Sequence, residues 1–309
     1  MKNFYRVMLD RKSIHAKECL NDNFIGVDFG VDIDLTNDLT ERFQDFSPWF
    51  RPKYLEKRPE KTKVAAGLAA GAVWTVCKGI RVDDIVICPD GQQAYLVGKV
   101  TGPYSYKSGR ILPHRRPIDW FPNRLTREDM SVALRNSAGS ALTTCDVSKY
   151  AEELEALIGG QAAPALIASD ETVEDPSVFA LEKHLEEFLV ANWANTELGQ
   201  NYDIFEEDGE LVGQQYPSDT GPIDILAISK DKKELLVVEL KKGRASDSVV
   251  GQIQRYMCFV LGELAEPDQT VKGVIIALED DLRIRRALAV TSNIDFYRYE
   301  VSFALKKAE

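Results

Sequence analysis

Asp224, Glu239 and Lys241 are the residues whose types and spacing are best suited to chemistry. Asp224 stands in GPIDIL, and fifteen positions later Glu239 and Lys241 stand two apart in the apolar run VVELK. Alternate residues of a strand leave the same face, so Glu239 and Lys241 share one side of the sheet. A carboxylate in an apolar strand costs several kcal/mol unless a lysine or a divalent cation pairs with it. The pattern therefore predicts one shared charged site.

The chemistry of such a site is metal-assisted hydrolysis of a phosphodiester. Carboxylate oxygens suit Mg²⁺ or Mn²⁺, which keep open positions for water and a phosphate oxygen. The ion polarises the phosphodiester and helps to generate hydroxide, and a nearby ammonium orients the water or stabilises developing charge. We therefore predict Asp224 and Glu239 as metal ligands and Lys241 as the residue that positions or activates the water.

The residues around this site resemble the PD-(D/E)xK nuclease superfamily, and are similar above all to the RecB-like nuclease domain of NucS-type endonucleases. That family carries a Gln and a Tyr four apart on the helix after the hairpin, and KGRASDSVVGQIQRY places Gln252 and Tyr256 there. It also carries a Glu before the hairpin in the pattern E-x-x-L-x-x-[LF]-L. Glu182 matches this pattern, with Glu186 and Glu187 close by.

The resemblance covers roughly residues 178 to 300 and implies further site residues. It makes Glu182 a third metal ligand and adds Gln252 and Tyr256 to the catalytic set. Taken singly, Gln252 and Tyr256 are equally well explained as a helix surface and a core aromatic. Arg244, in the GR after the hairpin, contacts phosphate or is simply solvated.

The elements that must position these residues form a regular series in the C-terminal half. FALEKHLEEFLVANW has one apolar face, made by Phe179, Leu185, Phe188, Leu189 and Trp193, and predicts an amphipathic helix. A hairpin turning through 230–233 follows, and then a helix, a buried strand, a helix and a closing strand or strand pair. This order predicts an α/β sandwich of the restriction-endonuclease type.

The N-terminal half predicts a mixed α+β domain with a curved or barrel-like sheet. Its expected elements are a strand at 4–9, a helix at 13–20 capped by Ser13, a strand interrupted by Gly26 and Gly30, a small-residue helix ending at Gly79, two strands around Pro-Asp-Gly, and helices from Arg127 and over 149–158. The glycines at 26 and 30 indicate either a bulge or a close approach of backbone to another group. The order looks like PUA-like and EVE-like domains, small barrels that bind modified or unusual bases. The resemblance implies an aromatic pocket for a single base.

Charge is divided unevenly between the halves. The chain carries a net charge of -11, but residues 1–158 hold 23 basic and 21 acidic residues, and residues 159–309 hold 15 and 28. A Gly-, Ala-, Pro- and acid-rich segment, 159–177, predicts a linker between a reader domain at 1–158 and a nuclease domain at 178–309. The near-neutral N-terminal half is therefore compatible with a nucleic-acid partner, despite the negative net charge of the whole chain.

Two basic stretches of the N-terminal half, 51–63 and 107–127, interleave aromatic residues. Base stacking beside phosphate-contacting Arg and Lys is typical of nucleic-acid binding. The candidate contacts, with Arg244 from the other half, are Trp49, Tyr54, Tyr104, Tyr106, Arg115, Arg116, Trp120 and Arg244. The alternative is a solvated face for the charges and core packing for each aromatic. We expect His114 to cap or orient a loop.

Several classes of protein are disfavoured. The five cysteines lack CxxC spacing and are expected to be reduced core thiols, and the three histidines are too far apart for a zinc pair. There is no GxxxxGK[ST] or GxGxxG motif of a nucleotide-binding loop. Without a long apolar run or an apolar N-terminus, we expect a cytoplasmic protein with no membrane partner.

The sequence thus predicts a Mg²⁺- or Mn²⁺-dependent DNA endonuclease that restricts foreign or modified DNA. One alternative is a NucS-like repair endonuclease acting on mismatched, branched or single-stranded DNA. Another is a non-catalytic nucleic-acid-binding or sensor protein, and RNA stays open as a substrate because PUA-like folds also bind RNA. Cutting both strands with one site per chain favours a homodimer.

Overall fold

The chain forms two compact units, Met1–Ile167 and Ala168–Glu309. The computed structural model describes residues 2–159 and 185–300. The predicted two-domain organisation is confirmed. The predicted linker at 159–177 lies almost entirely outside the described residues, so the linker and the domain limits drawn from it stay predictions.

The N-terminal unit is built on a curled half-barrel sheet. Its strands are β1 (Phe4–Val7), β2 (Phe24–Val27), β3 (Ile85–Pro89), β4 (Ala94–Val100), β5 (Ser105–Tyr106), β6 (His114–Trp120), β7 (Leu125–Thr126) and β8 (Thr144–Asp146). Its helices are α1 (Ala16–Asn21), α2 (Phe43–Lys57), α3 (Lys63–Trp74), α4 (Val132–Ala138) and α5 (Ala151–Ile158). The strand order is β2-β6-β4-β3-β1-β8, with β5 on β6 and β7 on β4. Strands β1 and β3 are parallel, and the other pairs are antiparallel.

Several predicted elements of this unit are present with changed ends. The hairpin around Pro-Asp-Gly is confirmed as β3 and β4. The first helix begins at Ala16 rather than at Ser13, whose Oγ instead accepts from the Leu9 N–H at 3.4 Å. The small-residue helix becomes a π-helical turn over its last residues, Thr75–Gly79. A Cβ on Gly26 would lie 2.9 Å from the His114 carbonyl oxygen, so the predicted close approach of backbone at Gly26 is confirmed.

Helix α2 has no counterpart among the predicted elements. It contains Pro48 and Pro52, and a proline inside a helix removes a hydrogen bond and costs about 3 kcal/mol. Its buried aromatics Phe46, Phe50 and Tyr54 recur every fourth residue and pack into the core. Tertiary burial of this stripe outweighs the local cost of the prolines.

The C-terminal unit is a six-stranded mixed sheet with short helices. Its strands are β9 (Tyr202–Ile204), β10 (Glu206–Glu207), β11 (Glu210–Leu211), β12 (Gln214–Ser218), β13 (Gly221–Ser229), β14 (Glu234–Arg244), β15 (Thr270–Glu279) and β16 (Ile294–Arg298). Its helices are α6 (185–191), α7 (Glu197–Asn201), α8 (Ser248–Phe259) and α9 (Leu282–Leu288). The strand order is β12-β13-β14-β15-β16, with β9 on β13. Strands β10 and β11 form a separate pair.

The two faces of strand β14 have different surroundings. Leu236, Val238 and Leu240 belong to a buried cluster with Trp193 and residues of α6 and α7. The opposite face points to α8, because a Cβ on Gly273, the partner of Val237, would meet Met257 and Ile253 of that helix. Glu239 and Lys241 share the face of Val237. The site residues therefore lie between the sheet and α8.

The predicted hairpin, the helix after it, the buried strand and the following helix are present as β13–β14, α8, β15 and α9. Strand β16 is described to Arg298, and the rest of the predicted closing segment lies outside the described residues or beyond the strand. Phe188 does not belong to the apolar face of α6, because 64% of it is exposed. The narrower names, a PUA/EVE-like barrel and a restriction-endonuclease-like sandwich, stay predictions.

All five cysteines are free thiols, as expected. Cys258 is exposed and Cys145 is half-buried, so the expectation of core burial was wrong for these two. Over the described ranges, no helix is both long and apolar enough to cross a bilayer.

We predict that Gly213→Ala destabilises the C-terminal unit by about 1–3 kcal/mol through overpacking. Gly213 lies beside β13, where a Cβ would collide with the Leu226 carbonyl and come 2.8 Å from the Phe205 nitrogen. Gly251→Ala is the control, because its Cβ would meet only Arg255, at 3.8 Å. Alanine there gains about 0.5–1 kcal/mol of helix propensity. Urea unfolding measures both, and equal stability of the two variants would contradict the prediction.

Candidate active site

The candidate site lies where strand β14 separates from β13. Backbone pairing of these strands runs from Ile228–Leu235 to Ile225–Val238. Asp224 and Glu239 occupy the next position on each strand. There the Leu240 N–H donates to the Asp224 side chain, at 2.8 Å from Oδ2. A side-chain carboxylate thus takes the hydrogen bond at the fork, which brings Asp224 to the strand that carries Glu239.

Glu239 is the most buried charged residue of the C-terminal site. Only 2% of it is exposed, and the Lys241 ammonium donates to its Oε1 at 2.6 Å. Because a buried carboxylate loses its hydration, this pairing offsets a large desolvation cost. The predicted same-face spacing of Glu239 and Lys241 therefore places an ammonium directly against a buried carboxylate. One third of the Lys241 side chain remains accessible to solvent.

Helix α8 brings Tyr256 and Gln252 to the same face. The Gln252 amide donates to the Tyr256 hydroxyl at 3.3 Å. Gly221 begins β13 with a φ of 129°, and a Cβ there would lie 3.1 Å from the Tyr256 hydroxyl. A glycine at this position lets the tyrosine approach the start of the strand that carries Asp224.

The pKa of Tyr256 lies above its ordinary value. Burial is the main cause, and the negative charges of Glu239 and Asp224 raise the pKa further. Both carboxylates therefore act on the hydroxyl electrostatically, and it keeps its proton at neutral pH. The predicted site residues Asp224, Glu239, Lys241, Gln252 and Tyr256 thus occupy one region. Their catalytic and metal-binding roles stay predictions.

Glu186, on the preceding helix, is connected to this region by two hydrogen bonds. Its Oε1 accepts from the Gln214 amide at 2.7 Å, and its Oε2 accepts from the Gln215 amide at 2.8 Å. The same Gln215 nitrogen lies 3.1 Å from Asp224 Oδ1. Glu182 lies outside the described residues, so its predicted role as a metal ligand stays a prediction.

Sequence reasoning did not find Gln215. Its strand, QQYPS, is short and polar, and nothing in its composition marks one glutamine over the other. The register supplies the missing information. Gln214 pairs with Ile225 and Tyr216 with Ile223, so Gln215 stands opposite Asp224. The turn between Ser218 and Gly221 was the available signal, because counting residues outward from it places Gln215 opposite Asp224.

The donor set suits a hard divalent cation that keeps most of its water. Across the described parts of the chain, no group of three or more His, Cys, Asp or Glu side chains is close enough to hold a metal. Mg²⁺ is usually bound through one or two carboxylates with waters and substrate phosphates. Asp224 and Glu239, on adjacent strands, fit that mode, whereas the described residues alone do not form a closed cage of protein ligands.

Tyr54 and Arg116 belong to the interior of the N-terminal unit. Tyr54 is 5% exposed and packs in the core. Arg116 is 4% exposed and donates to the carbonyl oxygens of Gly102, at 2.8 Å, and Ile80, at 2.7 Å. The hydrogen bonds of Arg116 stabilise the end of the π-helical turn at Ile80 and the backbone at Gly102. Both Tyr54 and Arg116 are therefore removed from the predicted nucleic-acid surface.

Arg115, Trp49 and Trp120 are half-buried at the edge of the core. The Arg115 guanidinium stacks 3.7 Å from the centre of the Phe24 ring and donates to the Leu112 carbonyl at 3.1 Å. The Trp120 indole donates to the Cys19 carbonyl at 3.1 Å. The Lys53 ammonium lies 4.0 Å over the Trp49 ring. Each keeps some accessible surface, and their nucleic-acid contacts stay predictions.

In the C-terminal unit, Arg244 is largely exposed. It forms an ion pair with Glu279 at 3.2 Å. This exposure suits either of the roles predicted for it, a phosphate contact or a solvated charge, so the choice between them stays open.

His114 orients a loop, as expected. It is 1% exposed, its Nε2 lies 3.0 Å from the Val31 carbonyl oxygen, and its Nδ1 lies 2.9 Å from the Tyr104 hydroxyl. The Tyr104 hydroxyl also accepts from the Leu35 N–H at 3.2 Å. A neutral ring donating from Nε2 satisfies both contacts. The Tyr106 ring lies 5.3 Å from the His114 ring, so both tyrosines pack around it.

Two family models match the chain. The Endonuclease NucS C-terminal domain matches residues 191–307, and Domain of unknown function (DUF8426) matches residues 5–145. The chain is 25% identical over 218 residues to Endonuclease NucS of Methanocaldococcus jannaschii, with 68% of this chain and 71% of the relative covered. The recognition of a NucS-type domain in the C-terminal half is confirmed. The PUA/EVE-like assignment of the N-terminal half stays a prediction.

Two solved structures of similar proteins show lower similarity. One is a structure of an EndoMS–dsDNA2 complex, with 15% identity, a TM-score of 0.33 and coverage of 68% of this chain and 62% of that one. The other is a repair endonuclease from Pyrococcus abyssi, with 13% identity, a TM-score of 0.31 and coverage of 68% and 63%. The chain spans about three fifths of the length of each.

We predict that His114 makes the stability of the N-terminal unit depend on pH. Burial lowers the pKa of His114 below its ordinary 6.5, so protonation favours the unfolded state. Its contribution is fully present above about pH 6.5 and is lost as the pH falls toward the folded-state pKa.

The test compares urea unfolding of the wild type and His114→Gln at several pH values from about 7 to about 5. The variant is expected to be less stable at neutral pH, and to lose less stability on acidification. Parallel pH profiles for the two proteins would contradict the prediction.

Proposed function

We propose that this protein is a metal-dependent endonuclease that hydrolyses phosphodiester bonds in DNA. The observation that carries the proposal is the fork between β13 and β14. There Asp224 accepts from the Leu240 N–H, and the buried Glu239 on the neighbouring strand is paired with Lys241. The match to a NucS C-terminal domain supports the nuclease chemistry and DNA as the substrate class. The PD-(D/E)xK assignment is part of the proposal.

Asp224 and Glu239 would hold Mg²⁺ or Mn²⁺ as carboxylate ligands. The bound ion would polarise the phosphodiester and lower the pKa of a water molecule, which supplies the nucleophile. Without the ion, Lys241 neutralises Glu239, so the buried carboxylate is compensated in the apo protein. The fit of this donor set to Mg²⁺ is the reason for proposing an ion at all.

Lys241 and Tyr256 act from two sides of the proposed site. The Lys241 ammonium is partly accessible, so it can orient the attacking water or stabilise charge that develops on the phosphate. Tyr256 keeps its proton because burial and the neighbouring carboxylates raise its pKa, so it can donate to a phosphate oxygen. Gln252 holds the tyrosine hydroxyl in place.

For biological role, we propose restriction of foreign or modified DNA, with the N-terminal unit as the reader. The support is the predicted PUA/EVE-like order of elements and the half-exposed aromatics and cations that remain at its edge, including Trp49, Arg115 and Trp120. The second candidate is repair of mismatched, branched or single-stranded DNA. It is favoured by the relatives, since one similar structure is described as a repair endonuclease. A homodimer is proposed in both cases, to cut two strands.

Substitution of Asp224 or Lys241 tests the proposed catalytic set. Asp224→Asn and Lys241→Ala are each expected to lower the rate of DNA cleavage with Mg²⁺ or Mn²⁺ by about a hundredfold or more. The first removes a charged ligand of the proposed ion, and the second removes an ammonium that can stabilise negative charge on the phosphate. Lys272→Ala is the matched control. Lys272 is exposed to the same degree as Lys241 and pairs with Asp295 at 2.7 Å, but it lies at the other end of the sheet's central strands.

Calorimetric titration with Mn²⁺ separates this proposal from a non-catalytic binding protein. The wild type and Lys272→Ala should bind the ion, and Asp224→Asn should bind it more weakly. Unchanged cleavage by Asp224→Asn would overturn the assignment of the site. Absence of both Mn²⁺ binding and cleavage in the wild type would favour the binding or sensor role.

The expected substrate is duplex DNA that carries modified bases. The full-length protein is expected to cut duplexes that carry modified bases faster than the same unmodified duplex, because the reader would retain them at the site. The panel includes mismatched, branched and single-stranded DNA and an RNA of the same sequence, and cleavage is followed on denaturing gels. Preference for mismatched or branched DNA would replace the restriction role with repair, and preference for RNA would replace DNA as the substrate.

A further inference from the structure

We propose that Gln215 is a positioning residue of the nuclease site, which fixes the Asp224 carboxylate and couples it to Glu186. The proposal rests on the proposed function, because it assigns a task within the same site. It goes beyond that function by naming a neutral residue outside the acid–lysine pattern. Gln215 is not among the proposed metal ligands or catalytic residues.

The hydrogen bonds of Gln215 join two acidic side chains. Its Nε2 donates to Glu186 at 2.8 Å and to Asp224 Oδ1 at 3.1 Å, while the Leu240 N–H donates to Asp224 Oδ2 at 2.8 Å. Both oxygens of Asp224 are therefore held, one from each flanking strand. In a carboxylate held in this way, the lone pairs that accept no hydrogen bond point in a fixed direction, as in ligating carboxylates of metal sites.

The backbone of Gln215 gives an independent observation. Its φ is 51°, in the left-handed region, although the pairs on either side, Gln214–Ile225 and Tyr216–Ile223, are in ordinary antiparallel register. Non-glycine residues avoid this region for steric reasons, and residues forced into it cluster at functional sites. Backbone pairing skips Gln215 and Asp224 and resumes in the same register, so the unusual conformation is confined to the position opposite Asp224.

The amide is suited to this task because it is neutral and carries two N–H groups. Two carboxylates that approach each other repel, and a lysine between them would neutralise one and compete with a cation. An amide donates to both without adding charge. The net negative charge needed to attract a divalent ion is therefore retained.

The experiment compares Gln215→Gly and Gln215→Met with Gln214→Gly and Gln214→Met in the full chain. Glycine at 215 removes the side chain and relieves the positive φ, whereas methionine keeps the length and removes the donors. Gln214 is the matched control because, within the described part of the chain, its amide donates to Glu186, at 2.7 Å, and not to Asp224. The measurements are Mn²⁺ affinity by calorimetry, thermal unfolding and DNA cleavage.

We expect both Gln215 variants to bind Mn²⁺ roughly tenfold or more weakly and to cut DNA correspondingly more slowly, as for other residues that orient metal ligands. Gln215→Gly should melt at the same temperature as the wild type or above it, because glycine relieves the backbone. Both Gln214 variants should bind Mn²⁺ within a few-fold of the wild type. A purely structural role could not weaken Mn²⁺ binding while the melting temperature holds.

Wild-type Mn²⁺ affinity in both Gln215 variants would overturn the positioning role and leave the proposed nuclease intact. Equal losses in the Gln214 and Gln215 variants would also overturn it, because the effect would then pass through Glu186 alone. If the wild type neither binds Mn²⁺ nor cuts DNA, the proposed function fails, and the task assigned to Gln215 fails with it.

Discussion

The C-terminal unit is organised around the cost of burying the Glu239 carboxylate. With 2% of the residue exposed, its charge needs a partner, and Lys241 supplies one at 2.6 Å. This pairing requires the two residues to share a face, which only an extended strand provides at a spacing of two. Strand β13 leaves β14 at the next position, where Asp224 accepts from the Leu240 N–H. The fork and the ion pair therefore meet on the face of the sheet that α8 covers.

Strand β14 can carry this site because one of its faces is apolar and the other carries the charged residues. The side chains of Leu236, Val238 and Leu240 join a continuous apolar cluster, and that burial holds the strand in the centre of the sheet. The alternate residues are then free to carry charge. Glycines at 213, 221 and 273 are placed where backbone or helix must come close. Stability and chemistry are thus separated by the pleat of a single strand.

The N-terminal unit shows why counts of charged and aromatic residues overstate a binding surface. Arg116 is used to satisfy carbonyl oxygens, Tyr54 fills the core, and His114 holds a loop through Val31 and Tyr104. Arginine has five donors and an apolar stem, so it serves interior carbonyls as readily as phosphates. What remains accessible is a smaller group at the edge of the core. A nucleic-acid role for this unit depends on that group.

The sequence alone determined the hairpin, its flanking helices and the shared face of Glu239 and Lys241, because these follow from local periodicity and the alternation of a strand. It also indicated the close backbone approach at Gly26. Helix α2 was out of reach, because its prolines oppose a helix locally and only burial of Phe46 and Phe50 overcomes them. The place of Gln215 opposite Asp224, and the hydrogen bonds that join Glu186 to Gln214 and Gln215, were decided by tertiary structure. Register between strands depends on contacts between residues distant in sequence, which local pattern does not encode.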